Sequence, residues 1–83
     1  MAVPPISKRF GINVRKHRML AGFSQEFLAE KAGLHATYIG MIERGIRNPT
    51  LDAAARIAIA LDLELPALIS ESLPERKGKG RSK

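Results

Sequence analysis

The chain has no cysteine and no tryptophan, and only one tyrosine and three phenylalanines among its 83 residues. Without cysteine there are no disulfides, no thiol nucleophile and no cysteine-ligated zinc. That usage fits a reducing, intracellular compartment. With so few aromatics the core has to be aliphatic, built from Leu, Ile, Ala and Val with Phe10, Phe23 and Phe27. No apolar run is long enough to span a bilayer, and the N-terminal MAVPPISKRF lacks a signal-peptide core. A soluble, cytoplasmic chain with no membrane partner is expected. Neither His17 nor His35 has a companion Asp, Glu, Cys or Ser at useful spacing, so no metal site, cofactor or catalytic constellation is expected and the chain does not read as an enzyme.

What is present is positive charge. The formal net charge is +6, and much of it lies in the tail PERKGKGRSK, where Arg76, Lys77, Lys79, Arg81 and Lys83 face only Glu75. The remainder is mildly basic but uneven: Lys8, Arg9, Arg15, Lys16 and Arg18 come early, Asp62, Glu64 and Glu71 late. A basic face of this kind suits a polyanion. At this length the chain holds one domain.

The stretch 25–45, QEFLAEKAGLHATYIGMIERG, reads as two short helices joined by a tight turn. Leu28, Ala29, Ala32, Leu34, Ile39 and Ile42 fall on one inner face of both. Gly33 stands where the chain reverses, and Ala29 is small where crossing helices need close approach. This is the pattern of a helix-turn-helix, whose second helix lies in the major groove of DNA.

Around it, residues 1–6, with Pro4-Pro5, read as a loose arm. Ser7 is the expected N-cap of a first helix reaching Ala21, with Phe10, Val14, His17 and Ala21 facing the core. Gly22 ends that helix, and Ser24 caps the second, which carries Glu26 at the positive end of its dipole. The third helix is expected over residues 36–44, stopping at Gly45, with RNPT as a loop. Thr50 caps a fourth helix, LDAAARIAIAL, whose inner stripe is Leu51, Ala54, Ile57, Ala58 and Leu61. A fifth begins near Leu65-Pro66 and ends near Leu73 before Pro74. The fold expected is all-α with five helices: an arm over 1–6, a DNA-binding and dimerisation domain over 7–73, and a basic disordered tail over 74–83.

The runs SQEFLAEKAGL, YIGMIERGIRNPTL and RIAIAL resemble the DNA-binding domain of Xre/Cro-type repressors, a likeness covering roughly residues 8–70. Within that family, YIGMIERGIRNPTL and the short length are similar to the controller proteins of restriction–modification systems. The resemblance implies a lambda-repressor-like five-helix domain and double-stranded DNA as partner. It also implies a partly buried salt bridge between Arg18 and Glu43 joining helices one and three, and a phosphate grip by Gln25.

Base reading is expected from Ala36, Thr37, Gly40 and Met41 on the third helix, where the family often carries Arg, Gln, Ser or Lys at three of the four positions. Arg44 and Arg47, past the end of that helix, are candidates for guanine, minor-groove or phosphate contacts. Phosphate contacts are expected from Gln25, His35, Tyr38, Asn48, Thr50 and Arg15. For Thr37 the plainer alternative is a solvent-facing helix residue, for Arg15 a solvated face, and for His35 a simple cap. Ile59, Leu63, Ile69 and Leu73 exceed what one inner face needs and point to a homodimer interface.

The expected function is a sequence-specific transcriptional regulator, dimeric on a short near-palindromic operator and autoregulatory, with no small-molecule ligand. A controller protein would activate at low occupancy and repress at high. An antitoxin of the same fold, binding a toxin protein as well as its own promoter, is the alternative, and a pure adaptor without a DNA role is a third reading.

Overall fold

The computed structural model describes residues 5–70. Over them the chain forms α1 (Ile6–Leu20), α2 (Gln25–Ala32), α3 (Ala36–Glu43), α4 (Leu51–Ala60) and α5 (Leu65–Ser70), with no strand among the described residues. The tail, residues 1–4 of the arm and the segment from 71 to Leu73 expected to finish the fifth helix lie outside the described residues.

The helices pack around an aliphatic centre in which Leu28, Ile39, Ile42, Ile57, Leu68 and Val14 are fully buried. Each of these side chains contributes about 1.5–3 kcal/mol of transfer free energy. Phe10 joins them, Phe23 packs against the rim, and Phe27 is largely exposed. Phe23 and Phe27 meet edge to face, with ring centroids 4.7 Å apart.

Three sequence expectations are corrected here. The first helix starts at Ile6 rather than behind Ser7. Pro5 holds the extended N-cap backbone (φ −54°, ψ 153°), its carbonyl accepts the Arg9 N–H at 3.1 Å, and no side chain caps this end. Proline's fixed φ favours the backbone this position adopts, and the first N–H groups of the helix have no side-chain acceptor from the N-cap. The inner stripe of α1 ends early: His17 is half-buried and Ala21 exposed, because the helix closes at Leu20. On α4, Leu51 is 82% exposed, and the buried stripe runs through Ala53, Ala54, Ile57, Ala58 and Ala60. Leu51 is the first residue of that helix, so it lies at its end, beyond the turns packed on the core.

The short α5 is fixed by α1. The Asn13 amide donates to the Leu68 carbonyl at 2.8 Å, and the Arg9 guanidinium to that of Ile69 at 3.0 Å. These side chains satisfy terminal carbonyls that a helix leaves without partners. Gly11 lets α1 approach α3 closely, for a Cβ there would fall 2.1 Å from the Ile42 carbonyl oxygen.

Candidate nucleic-acid interface

The turn between α2 and α3 is built by its backbone. Gly33 lies in the left-handed region (φ 72°, ψ 35°). Its N–H bonds the Glu30 carbonyl at 3.2 Å, while the Leu34 N–H reaches the Ala29 carbonyl at 2.9 Å. This pair of bonds closes a helix end and reverses the chain, and a residue without Cβ takes the conformation at no steric cost. Ser24 opens α2, its Oγ accepting the Phe27 N–H at 3.0 Å. At the start of α3 the His35 backbone is extended but its side chain makes no cap bond and is exposed. His35 therefore stands at the N-cap position without a side-chain cap, its carbonyl accepting the ordinary first helical bond from the Ile39 N–H at 3.1 Å.

Behind α3 lies an ionic cluster. Arg18 donates through Nε to Glu43 Oε2 at 2.6 Å and through Nη2 to Oε1 at 3.1 Å. Its Nη1 also reaches the Phe23 carbonyl at 2.9 Å. Gln25 Nε2 donates to the same Glu43 Oε1 at 3.0 Å. The side chains of Arg18 and Glu43 are only 11% and 2% exposed. Hydrogen bonding to Glu43 raises the Arg18 pKa above its ordinary value; desolvation opposes it, and the charges of Glu43 and then Glu26 add to the rise. The guanidinium is thus a fixed cation tying α1 to α3 and to the Phe23 carbonyl ahead of α2, while Glu43 also takes the first residue of α2.

Of the residues expected to read bases, Thr37, Arg44 and Arg47 are exposed, while Ala36 and Met41 are half-buried. Gly40 is buried, lying beneath the Gln25 amide and the Arg44 guanidinium, and so offers no surface of its own. Among the phosphate candidates, Asn48 and Arg15 are exposed, and Gln25 has one amide N–H engaged with Glu43 and a second left to give. Tyr38 and Thr50 are linked: the Thr50 N–H donates to the Tyr38 hydroxyl at 3.4 Å, and Thr50 Oγ1 accepts the Ala53 N–H at 3.0 Å as the cap of α4. Both hydroxyls act as acceptors toward the protein, which leaves their O–H groups to donate outward. The Arg47 guanidinium lies over the Tyr38 ring, 5.7 Å from its centroid.

The link from Gln25 to Glu43 is not visible in the sequence, though a buried carboxylate with more lone pairs than one guanidinium fills is a signal that another donor is near. On α4, Ile59 is 76% exposed, while Leu63 and Ile69 are half-buried against the core.

Five helices, with the second and third joined by a glycine turn and the third presenting an exposed edge, define a helix-turn-helix DNA-binding domain of the lambda-repressor kind. The chain belongs to the helix-turn-helix family, whose pattern matches residues 14–68. It is 48% identical over 58 residues to the control protein C.SmaI of Serratia marcescens, covering 70% of this chain and 69% of that one. Against the control protein C.BamHI of Bacillus amyloliquefaciens it is 46% identical over 56 residues, covering 66% and 69%. The crystal structure of the restriction–modification controller protein C.AhdI from Aeromonas hydrophila superposes with a TM-score of 0.73 at 42% identity, over 75% of this chain and 94% of that one. The biofilm regulator SinR, solved in complex with DNA, matches with a TM-score of 0.68 at 32% identity, over 71% and 95%. The chain is thus a helix-turn-helix transcription regulator, related to controller proteins. No helix among the described residues is long and apolar enough to cross a membrane.

Proposed function

We propose that the protein is a controller-type transcriptional regulator that binds a short, near-palindromic operator as a homodimer and governs its own promoter. The observation that carries the reading is the α3 edge: Thr37, Arg44 and Arg47 stand exposed, the Arg44 guanidinium and the Gln25 amide both lie over residue 40, and the Arg18–Glu43 pair anchors the helix. Thr37, Arg44 and Arg47 serve base edges, with Ala36 and Met41 offering apolar contact. Gln25, His35, Tyr38, Asn48, Thr50 and Arg15 serve phosphates and fix the register.

One such helix reads only a few base pairs, so two copies on half-sites about one helical turn apart supply the rest. The exposed Ile59, with Leu63, Ile69 and Leu73, is proposed to join them. Likeness to the controllers of restriction–modification systems supports regulation set by the protein's own concentration, activating at low occupancy and repressing at high. No small-molecule ligand is invoked.

Selection of bound sequences from a random DNA pool, followed by footprinting at rising protein concentration, tests the proposal. The expected result is a two-fold-symmetric motif with two protected half-sites and a second, weaker site filled later. Recovery of no motif would refute it.

A further inference from the structure

Two glycines inside helices are present for different reasons. At Gly11 a side chain is impossible, because a Cβ would overlap the Ile42 carbonyl oxygen. At Gly40 nothing in the fold forbids one. The nearest atoms that a methyl there would meet are the Gln25 amide, at 3.6 Å, and Arg44 Nη1, at 3.7 Å, both ordinary contact distances. Its φ is not positive, so no turn demands glycine. Glycine in a helix interior is disfavoured relative to alanine, and packing gives no compensating reason for it at this position.

The space is occupied by two side chains that begin elsewhere. Gln25 comes from the first position of α2, and Arg44 from the C-cap of α3. A long side chain on a helix leans back over the preceding turn. The Arg44 guanidinium accordingly lies over residue 40, within the helix, rather than beyond its C-terminal end. Apart from Thr37, α3 has few hydrogen-bonding groups of its own to offer bases, with Ala36, Gly40 and Met41 at the other expected positions. The guanidinium supplies what they lack: a planar fork of donors that matches O6 and N7 of guanine.

We infer that Gly40 and Arg44 form one base-reading unit, in which the bare backbone at 40 is the seat that places the Arg44 guanidinium over α3 to read a guanine in each half-site. This rests on the operator-binding reading proposed above. Gly40 is a positioning residue without base contact, and Arg44 is the specificity determinant.

The test compares half-site preferences, by selection and competition titration, for the wild type, Arg44→Ala, Gly40→Leu, Gly40→Ala and the double variant Gly40→Leu/Arg44→Ala. Circular dichroism checks the fold of each. Arg44→Ala, an exposed change, is expected to lose about tenfold or more of the preference for guanine at one base pair of each half-site. Gly40→Leu fills the seat and is expected to lose the preference at that same base pair, with the double variant no worse than either single one. Gly40→Ala, whose methyl fits, keeps the preference.

Any of four results would overturn the inference. In the first, Arg44→Ala weakens all sequences alike and lowers the salt slope by about one, the mark of a phosphate contact. In the second, Gly40→Leu folds and keeps the wild-type motif; should it not fold, the Arg44→Ala profile decides alone. In the third, the wild type selects no motif, which removes the operator-binding reading as well. A motif whose preferences ignore both residues removes only this inference.

Discussion

Glu43 carries its charge almost out of water, and its stability there depends on the donors gathered round it: Arg18 through two nitrogens and Gln25 through one. Replacing it by alanine strands the Arg18 guanidinium, which is itself nearly buried. Breaking one partner of such a pair costs about 3–5 kcal/mol. For a domain of this size each kcal/mol shifts Tm by roughly 4–8 °C, so Glu43→Ala is expected to lower Tm by at least ten degrees in a thermal melt while leaving the selected motif intact. An unchanged melting curve would contradict it. Gln25→Ala is expected to lower Tm less than Glu43→Ala, because Arg18 still bonds both Glu43 oxygens, and to weaken binding to every DNA sequence, as befits a phosphate contact. The pairing of Arg18 with Glu43 is readable from the sequence only through the family resemblance, because nothing in the spacing of residues 18, 25 and 43 announces it. The buried position of Gly40 is hidden for a related reason: what covers it are the ends of side chains from other positions, and periodicity predicts only where Cβ atoms point.

The helices show which parts of a fold local chemistry announces. Ser24 and Thr50 cap α2 and α4 through hydroxyl bonds of 3.0 Å each, as their place before apolar periodic runs predicts. Thr50→Ala is expected to cost about 1 kcal/mol in denaturant unfolding. At the other ends, α2 and α3 close on glycines with positive φ, Gly33 and Gly45, both expected stops. The end of α4 is different, for Asp62 takes the left-handed conformation there, with φ 61°. Its N–H bonds the Ile59 carbonyl at 3.0 Å and the Leu63 N–H bonds that of Ala58 at 2.8 Å, the same closing bonds as at Gly33. A side chain in this region costs about 1–2 kcal/mol, less for Asp than for most residues, whereas glycine loses about 0.5–1 kcal/mol in chain entropy. The difference favours Asp62→Gly by a few tenths to about 1 kcal/mol, a rise of a few degrees in Tm. A lower Tm would show that the aspartate side chain contributes more than its backbone costs. The start of α1 is less legible, because a proline that opens a helix and one that merely precedes it look alike until the following residues are placed. Leu51 shows the limit of periodicity, for it matches the inner stripe of α4 and yet lies beyond the packed turns.

At the scale of the whole molecule, the domain presents unlike faces: the α3 edge with its arginines, and a separate apolar prominence at Ile59 on α4. Ile59 is a large aliphatic side chain left mostly in solvent, in a helix whose other isoleucine is fully buried. Its proposed place is the axis of a symmetric pair, where each copy covers the other's prominence. Ile59→Glu leaves the core untouched, since residue 59 faces solvent, but puts two like charges opposite each other across that axis. The expected outcome is a monomer in sedimentation at concentrations where the wild type is a dimer, with the melting curve of the monomer unit little changed. DNA binding supplies the second readout. A dimer neutralising about eight phosphates gives a slope of log K against log salt near −7, and a single domain about half of it. Ile59→Glu should therefore bind the operator weakly and with a shallower salt dependence, half-sites filling independently. If the variant still sediments as the wild type does and keeps the full slope, the two copies meet through some other surface, and Ile59 is not the contact that joins them.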